Sequence, residues 1–266
     1  MTTVIKSNAA LTVAGLGSLR DVTQTPAEIY ADYAARVVAD GGAVQSPSRT
    51  LAAIEAAVAG GYFSLAEIAI SPQWGTKKSG SNILKFYGLN GKDGTCFGTI
   101  VEDVSTKAYA TAQFNSGADY VQFSDVTLGR YGQAGCILAG AGDPGNGANG
   151  AVLRITDPVS SVEYYYSRYQ GRFAQGGVIK LASNPDFAVV TDDVSVHHVN
   201  LRENFLAMGI NGEYRKGTSD FIPYEETAGA VKLDAFGTEL LAEAWYLSGA
   251  TLDNVQAAGV TLGDRY

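Results

Sequence analysis

The chain has 266 residues, a formal net charge of −8 and a pI near 4.8. That acidic balance excludes the clustered Lys and Arg footprint a nucleic-acid backbone demands, and no apolar run approaches the ~20 residues of a membrane span. Thirty-two glycines and fifteen tyrosines, in a sequence 46% hydrophobic and 17% charged, point to many turns and strands rather than a helical bundle.

Residues 1–24 are small, polar and non-periodic, which predicts an extended N-terminal arm that is ordered only when laid on a neighbour. Residues 9–19 follow Lys6 and imitate a secretory leader loosely, because Thr12, Gly15, Gly17 and Ser18 interrupt the apolar run. Residues 25–80 read as a small helical segment. Thr25-Pro26-Ala27-Glu28 is a capping box with Pro at the first helical position. Ile29, Tyr33 and Val37 form the apolar stripe, and Gly41-Gly42 ends the helix. Ser46-Pro47 opens a second helix with Leu51, Ile54 and Val58 as its stripe, stopped by Gly60-Gly61. Both helices are too short to stand alone. They must pack on each other, on the β-domain or on another subunit.

Residues 81–266 change to short β-like runs punctuated by Gly, Asn and Asp. Candidate strands are 83–87, 96–101, 108–114, 120–123, 135–139, 152–155, 162–166, 178–181, 187–190, 194–199, 205–210, 230–233 and 238–247. Asn211-Gly212 between Ile210 and Tyr214 is the strongest hairpin signal. The expected fold is mainly β, an antiparallel two-sheet sandwich of jelly-roll type, preceded by the arm and two short helices.

Few residues carry independent chemistry. Cys96 and Cys136 cannot build a disulfide framework and read as reduced and buried. Gly140-Ala-Gly142-Asp-Pro-Gly145 matches a dinucleotide fingerprint, but Pro144, Gly145, Gly147 and Gly150 forbid the helix whose amides would hold the pyrophosphate. His197 and His198 are adjacent on one strand, so they point to opposite faces and cannot share a metal without distortion. Tyr164, Tyr165, Tyr166, Arg168 and Tyr169 concentrate aromatic area with one cation. Tyr164, Tyr166, Arg168 and Tyr169 are the candidate contact set for a partner protein or a glycan.

Three stretches, in order, resemble the laminin-G-like, concanavalin-like sandwich. Phe114-Asn-Ser-Gly-Ala-Asp-Tyr-Val-Gln-Phe123 is similar to its early turn and Asp-Tyr-Val strand; Met208-Gly-Ile-Asn-Gly-Glu-Tyr214 is similar to its later hairpin; and the run from 238 through Leu247-Ser-Gly-Ala-Thr-Leu-Asp253 resembles its closing strand and short helix. The segment from Ala31 to Gly42 resembles the helix that precedes such domains in tailed-bacteriophage virion proteins. The resemblance implies a non-enzymatic virion component, a capsid decoration, tail or fibre protein assembled in the host cytoplasm. Its partners are expected to be further copies of itself, as a homo-oligomer such as a trimer, other virion proteins and a host surface glycan, with the arm and helices anchoring the assembly. A lectin-like carbohydrate-binding module is the alternative.

Such sandwiches often hold Ca²⁺ in loops, and Asp143, Asn146 and Asn149 are the oxygen ligands available for one, although a hard cation prefers more than a single carboxylate. No other cofactor is implied. Glucanases of the concanavalin-like fold carry Glu-x-Asp-x-Glu, and Glu239 and Glu243 match its outer pair with Leu241 in place of the Asp. Four strand residues span about 13 Å, whereas retaining hydrolysis wants carboxyls about 5 Å apart, so a bulge would be needed. The ordinary reading is a strand with its glutamates toward solvent.

Overall fold

A computed structural model of the chain describes residues 24–104, 109–115, 118–128, 132–140, 151–156, 163–167, 172–175, 178–182, 194–202, 205–210, 213–217, 227–234 and 239–248. The N-terminal arm, the candidate strand 187–190 and the closing helix lie outside these residues.

Helix α1 (Pro26–Ala39) begins as its sequence dictates. Thr25 Oγ1 accepts from the Glu28 backbone N–H, and the Glu28 carboxylate accepts from the Thr25 N–H at 2.7 Å. After β1 (Ala43–Val44), helix α2 (Pro47–Ala59) starts at Ser46, whose side chain makes no cap hydrogen bond. The buried face of α2 is Thr50, Ala53, Ile54 and Ala57 rather than Leu51, Ile54 and Val58. The small alanines let the helix lie close against the sheet, which longer side chains at those positions would prevent.

Strands β2 (Ala66–Ile70), β3 (Gly75–Ser79) and β4 (Asn82–Tyr87) follow, so β-structure begins before residue 81. Next come β5 (Gly94–Phe97), β6 (Ile100–Asp103), β7 (Thr111–Phe114), β8 (Tyr120–Leu128) and β9 (Gly132–Gly140). The second half supplies β10 (Ala151–Thr156), β11 (Glu163–Ser167), β12 (Arg172–Gln175), β13 (Val178–Ala182), β14 (Val194–Arg202), β15 (Phe205–Ile210), β16 (Glu213–Gly217), β17 (Thr227–Asp234) and β18 (Glu239–Ser248). Every recorded strand pairing is antiparallel.

Two ladders emerge from those pairings. One runs β13-β12-β11-β10-β17-β8-β5. The other runs β16-β15-β14-β9-β18, with β2 and β7 sharing the far side of β18 and β6 beyond β7. Strand β4 joins them, pairing with β5 through Phe86 and Gly94 and with β6 through Asn82 and Val101. The fold is therefore a mainly antiparallel β-sandwich of jelly-roll type, with two α-helices among the described residues. The single run expected over 96–101 is two strands, because Gly98 turns the chain at φ 82°. A Cβ there would stand 1.9 Å from Asp119 Oδ1, which itself accepts from the Thr99 N–H at 2.9 Å.

The helices are a third layer. Tyr33, Val37, Ala53, Ile54 and Ala57 cluster with Tyr62, Ala66, Ala69, Trp74, Ala242, Trp245 and Leu247. Ile68, Ile70, Leu241, Ala244 and Tyr246, outside that cluster, are fully buried too, so β2 and β18 are covered on both faces. Gly75 permits the close approach of α1: a Cβ would meet Tyr33 Oη at 2.5 Å and Val37 Cγ2 at 2.8 Å.

Polar contacts clamp the end of α1. Arg36 Nη1 pairs with Asp93 at 2.5 Å and Nη2 donates to the Gly88 carbonyl at 2.6 Å. Asp40 accepts from Lys85 Nζ at 2.9 Å and from Tyr87 Oη at 2.8 Å. The Lys85 hydrogen bond, then that from Tyr87, holds the Asp40 carboxyl down to about 2, from an ordinary 3.8. A depressed folded-state pKa contributes stability that is present above about pH 4 and is lost as pH falls toward 2. Urea midpoints of the protein and of Asp40→Asn should therefore differ by a constant amount above pH 5 and converge near pH 2. A gap that persists at pH 2 would remove this role for Asp40.

Candidate functional site

The α2 start, the end of β6 and the chain entering β7 enclose a cleft of about 240 Å³. Its lining includes Gln45, Arg49, Gln73, Glu102, Val104 and Tyr109. Each side chain is placed by ordinary backbone logic. The backbone N–H groups of Gln45 and Ser46 donate to the carbonyls of Trp74 and Gln73 at 2.7 and 2.8 Å, fixing the α2 start against the loop between β2 and β3. Ser71 Oγ holds that loop to the central strand by donating to the Ala242 carbonyl at 2.6 Å. Glu102 is brought in by β6, whose register with β7 sets it opposite Ala112.

The electrostatics are mixed. Arg49 lies over the Tyr109 ring, its guanidinium carbon 5.3 Å from the centroid. Lys78 Nζ binds Glu102 Oε2 at 2.7 Å and donates to Gln45 Oε1 at 3.2 Å. Gln45 Nε2 is committed to Thr76 Oγ1 and to the Ala43 carbonyl, both at 3.2 Å. Burial raises the Tyr109 hydroxyl pKa against the opposing pull of Arg49, so the ring is neutral. Val104, 67% exposed, forms an apolar lip. A guanidinium, a carboxylate and a phenol around one small cavity can recognise a polyhydroxylated ligand, with aromatic area for its apolar face.

The expected sites distribute differently. Asp143, Asn146 and Asn149 lie outside the described residues, as do Arg168 and Tyr169. Tyr164 pairs with Ile155, which pairs with the buried Leu233, and Tyr166 pairs with Leu153. Positions 164 and 166 are thus in phase with Leu233, while position 165 is in phase with Arg154 and Asp234. His197 and His198 occupy neighbouring rungs of β14, opposite Cys136 and Gly135 of β9. Cys96, half-buried in β5, is a free thiol that burial pushes up to about 12. Among the described residues no three His, Cys, Asp or Glu gather as a metal site, and no helix is long and apolar enough to cross a membrane.

Strand β18 corrects the expectation of a solvent-facing side chain at Glu243. Glu243 is 1% exposed and accepts from Trp245 Nε1 at 2.8 Å. The β18–β9 register also contains a bulge: Leu241 pairs with Leu138 and Glu243 with Ile137, leaving Ala242 as the extra residue. Glu239 pairs with Gly140, so positions 239 and 243 sit on rungs of opposite phase. The bulge that a carboxylate pair would require thus separates the two positions instead of bringing them together.

No protein-family model matches the sequence, and no curated protein is significantly similar to it. Solved structures do share the fold. The binding domain of botulinum neurotoxin serotype D aligns with a TM-score of 0.50 at 7% identity, over 77% of this chain and 52% of its own. Domain 4 of AbnA, an extracellular GH43 arabinanase of Geobacillus stearothermophilus in complex with arabinotriose, aligns at 0.44 and 14% identity, over 61% and 82%. Trypanosoma rangeli sialidase in complex with sialic acid aligns at 0.47 and 9%, over 74% and 32%. The chain thus spans about half of the neurotoxin structure and a third of the sialidase, and at these identities the likeness is one of fold.

The Gln45–Arg49–Glu102–Tyr109 cleft escaped sequence reasoning. Its residues come from three separate segments, and the local signal is only that Gln45 and Arg49 bracket a helix start.

Proposed function

We propose that this chain is a non-enzymatic β-sandwich protein that contacts a carbohydrate through the Arg49–Tyr109 cleft, as a structural or accessory component of a virion. The cleft carries the reading. It joins an aromatic ring, a guanidinium and a carboxylate in a cavity of about 240 Å³, about eight water volumes, which suits one sugar ring. The solved neighbours include structures whose ligands are sialic acid and arabinotriose; they agree with the reading without carrying it. The virion placement rests on the sequence resemblance around Ala31 to Gly42, and self-association is part of the same proposal.

A glycan array probed with the full chain tests the binding half. We expect a defined subset of glycans to bind, and Tyr109→Ala to weaken that binding about tenfold, a loss typical of one aromatic contact residue. Binding to no glycan, or full binding by the variant, would defeat the cleft as the site. Light scattering on the same sample tests assembly: a monomer at every concentration removes self-association.

A further inference from the structure

Resting on the carbohydrate reading of the cleft, we infer that Lys78 makes one wall of it a surface of hydrogen-bond acceptors, and that the ligand is a sugar with two free hydroxyls on adjacent ring carbons. Chain geometry brings Lys78 to the cleft. Lys77 and Lys78 are neighbours on β3 and leave it in opposite directions. Lys77 Nζ donates to the Asp40 carbonyl at the end of α1 at 2.8 Å, whereas Lys78 Nζ reaches Glu102 and Gln45. The β3–β4 register shifts between the two lysines, pairing Lys77 with Lys85 and Lys78 with Ile83. Past that irregularity Asn82 pairs with Val101, and the Glu102 N–H donates to the Ser81 carbonyl at 2.8 Å, which sets β6 beside Lys78.

Donor and acceptor rules fix the rest. An ammonium only donates, so the Gln45 oxygen is the end of the amide that faces it, at 3.2 Å. The amide nitrogen is spent inside the protein, donating to the Ala43 carbonyl and to Thr76 Oγ1 at 3.2 Å each. Its oxygen has two lone pairs and Lys78 takes one, so toward the cavity Gln45 can only accept. Glu102, in an ion pair with the same ammonium through Oε2 at 2.7 Å, presents acceptors only. Both side chains line the cavity, and both ask for donors. Their oxygens converge on one nitrogen, so a vicinal pair of hydroxyls can meet the two at once. A ligand offering only ether oxygens, carbonyls or phosphate at this wall would set acceptor against acceptor and leave these groups without the partners that water gave them.

The test is NMR titration of the full chain with methyl glucoside, methyl galactoside and methyl mannoside, and with derivatives of each in which fluorine replaces the hydroxyl at C2, C3 or C4. Fluorine nearly keeps the size of the group and removes its O–H donor. For a glycoside that binds, two adjacent positions should each lose about tenfold on fluorination, the scale of one hydrogen bond to a desolvated acceptor, and the third position far less. In Lys78→Met the Gln45 amide is released to turn, and the loss at one of the two positions should shrink to about threefold or below. Lys78→Arg, still a donor-only cation, should keep the original pattern, whereas a merely structural Lys78 would weaken every derivative alike. The pattern in the unaltered chain is decisive whether or not Lys78→Met folds. A pattern without such an adjacent pair, a folded Lys78→Met that leaves the pattern unchanged, or array glycans that bind while none of these glycosides does overturns this inference and leaves the carbohydrate reading standing. If no glycoside and no array glycan binds, both fall.

Discussion

Replacing Trp245 by Ala should cost about 3–5 kcal/mol of stability, near the upper end for one core substitution, and lower the melting temperature by roughly 10 °C. Trp245 is 2% exposed on the helix-facing side of β18. Its ring meets Tyr62 and Trp74 edge-on, with both centroids at 5.5 Å. Tyr62 lies between α2 and β2, and Trp74 belongs to the loop leading into β3, so one ring binds three segments. The indole N–H is also a donor to the buried Glu243 carboxylate. Truncation therefore opens a cavity and withdraws a donor from a buried carboxyl group, two costs of different origin. Trp245→Phe separates them: it keeps most of the ring and loses the donor, and should cost about 1–3 kcal/mol. Urea unfolding of both variants measures the split, and equal losses would mean that the hydrogen bond is the whole effect.

Deleting residues 1–60 should abolish cooperative folding. The deletion strips Tyr33, Val37, Ala53, Ile54 and Ala57 from the helix-side cluster and exposes Trp74, Trp245 and Leu247. Burial of Val37 and Ile54 alone contributes about 1.5–3 kcal/mol each, against a typical total of 5–15 kcal/mol. The chain has two tryptophans, and they touch each other in this layer, so their fluorescence reports on it directly. The truncated chain should show red-shifted emission and no sharp thermal transition. A cooperative melt with native-like emission would show that the helices are a detachable appendage.

Much of this architecture was legible in the sequence, for reasons that can be traced residue by residue. The capping box at Thr25 and the Pro at position 26 are local devices, so the start of α1 could be read without knowing its surroundings. Asn211-Gly212 likewise marks the connection between strands that pair Ile210 with Glu213. The α2 face was misread because burial there follows what the helix packs against. Ala53 and Ala57 are weak hydrophobic signals in a sequence, yet they are the residues that a close approach selects. Strand β2, buried on both faces, lacks the alternation that advertises a strand, and β3, with Lys77 and Lys78, is polar enough to read as a loop. Glu243 was misread for the opposite reason: a charged residue is expected outside, and only the three-layer arrangement shows why this one is inside. The cleft was invisible because no local pattern links residue 49 to residue 109.

The position of β18 has a consequence for how the chain is made. This strand lies between β9 on one side and β2 and β7 on the other, and Ser71 reaches across 171 residues of sequence to the Ala242 carbonyl. Its partners leave the ribosome roughly 100 to 170 residues ahead of it, an interval of about 5–35 s at ordinary elongation rates. Throughout that time β2, β7 and β9 each have an edge that, among the described strands, β18 closes. High contact order makes such folding slow, and it makes premature termination costly, since a product ending before residue 239 keeps open strand edges of the kind that seed aggregation.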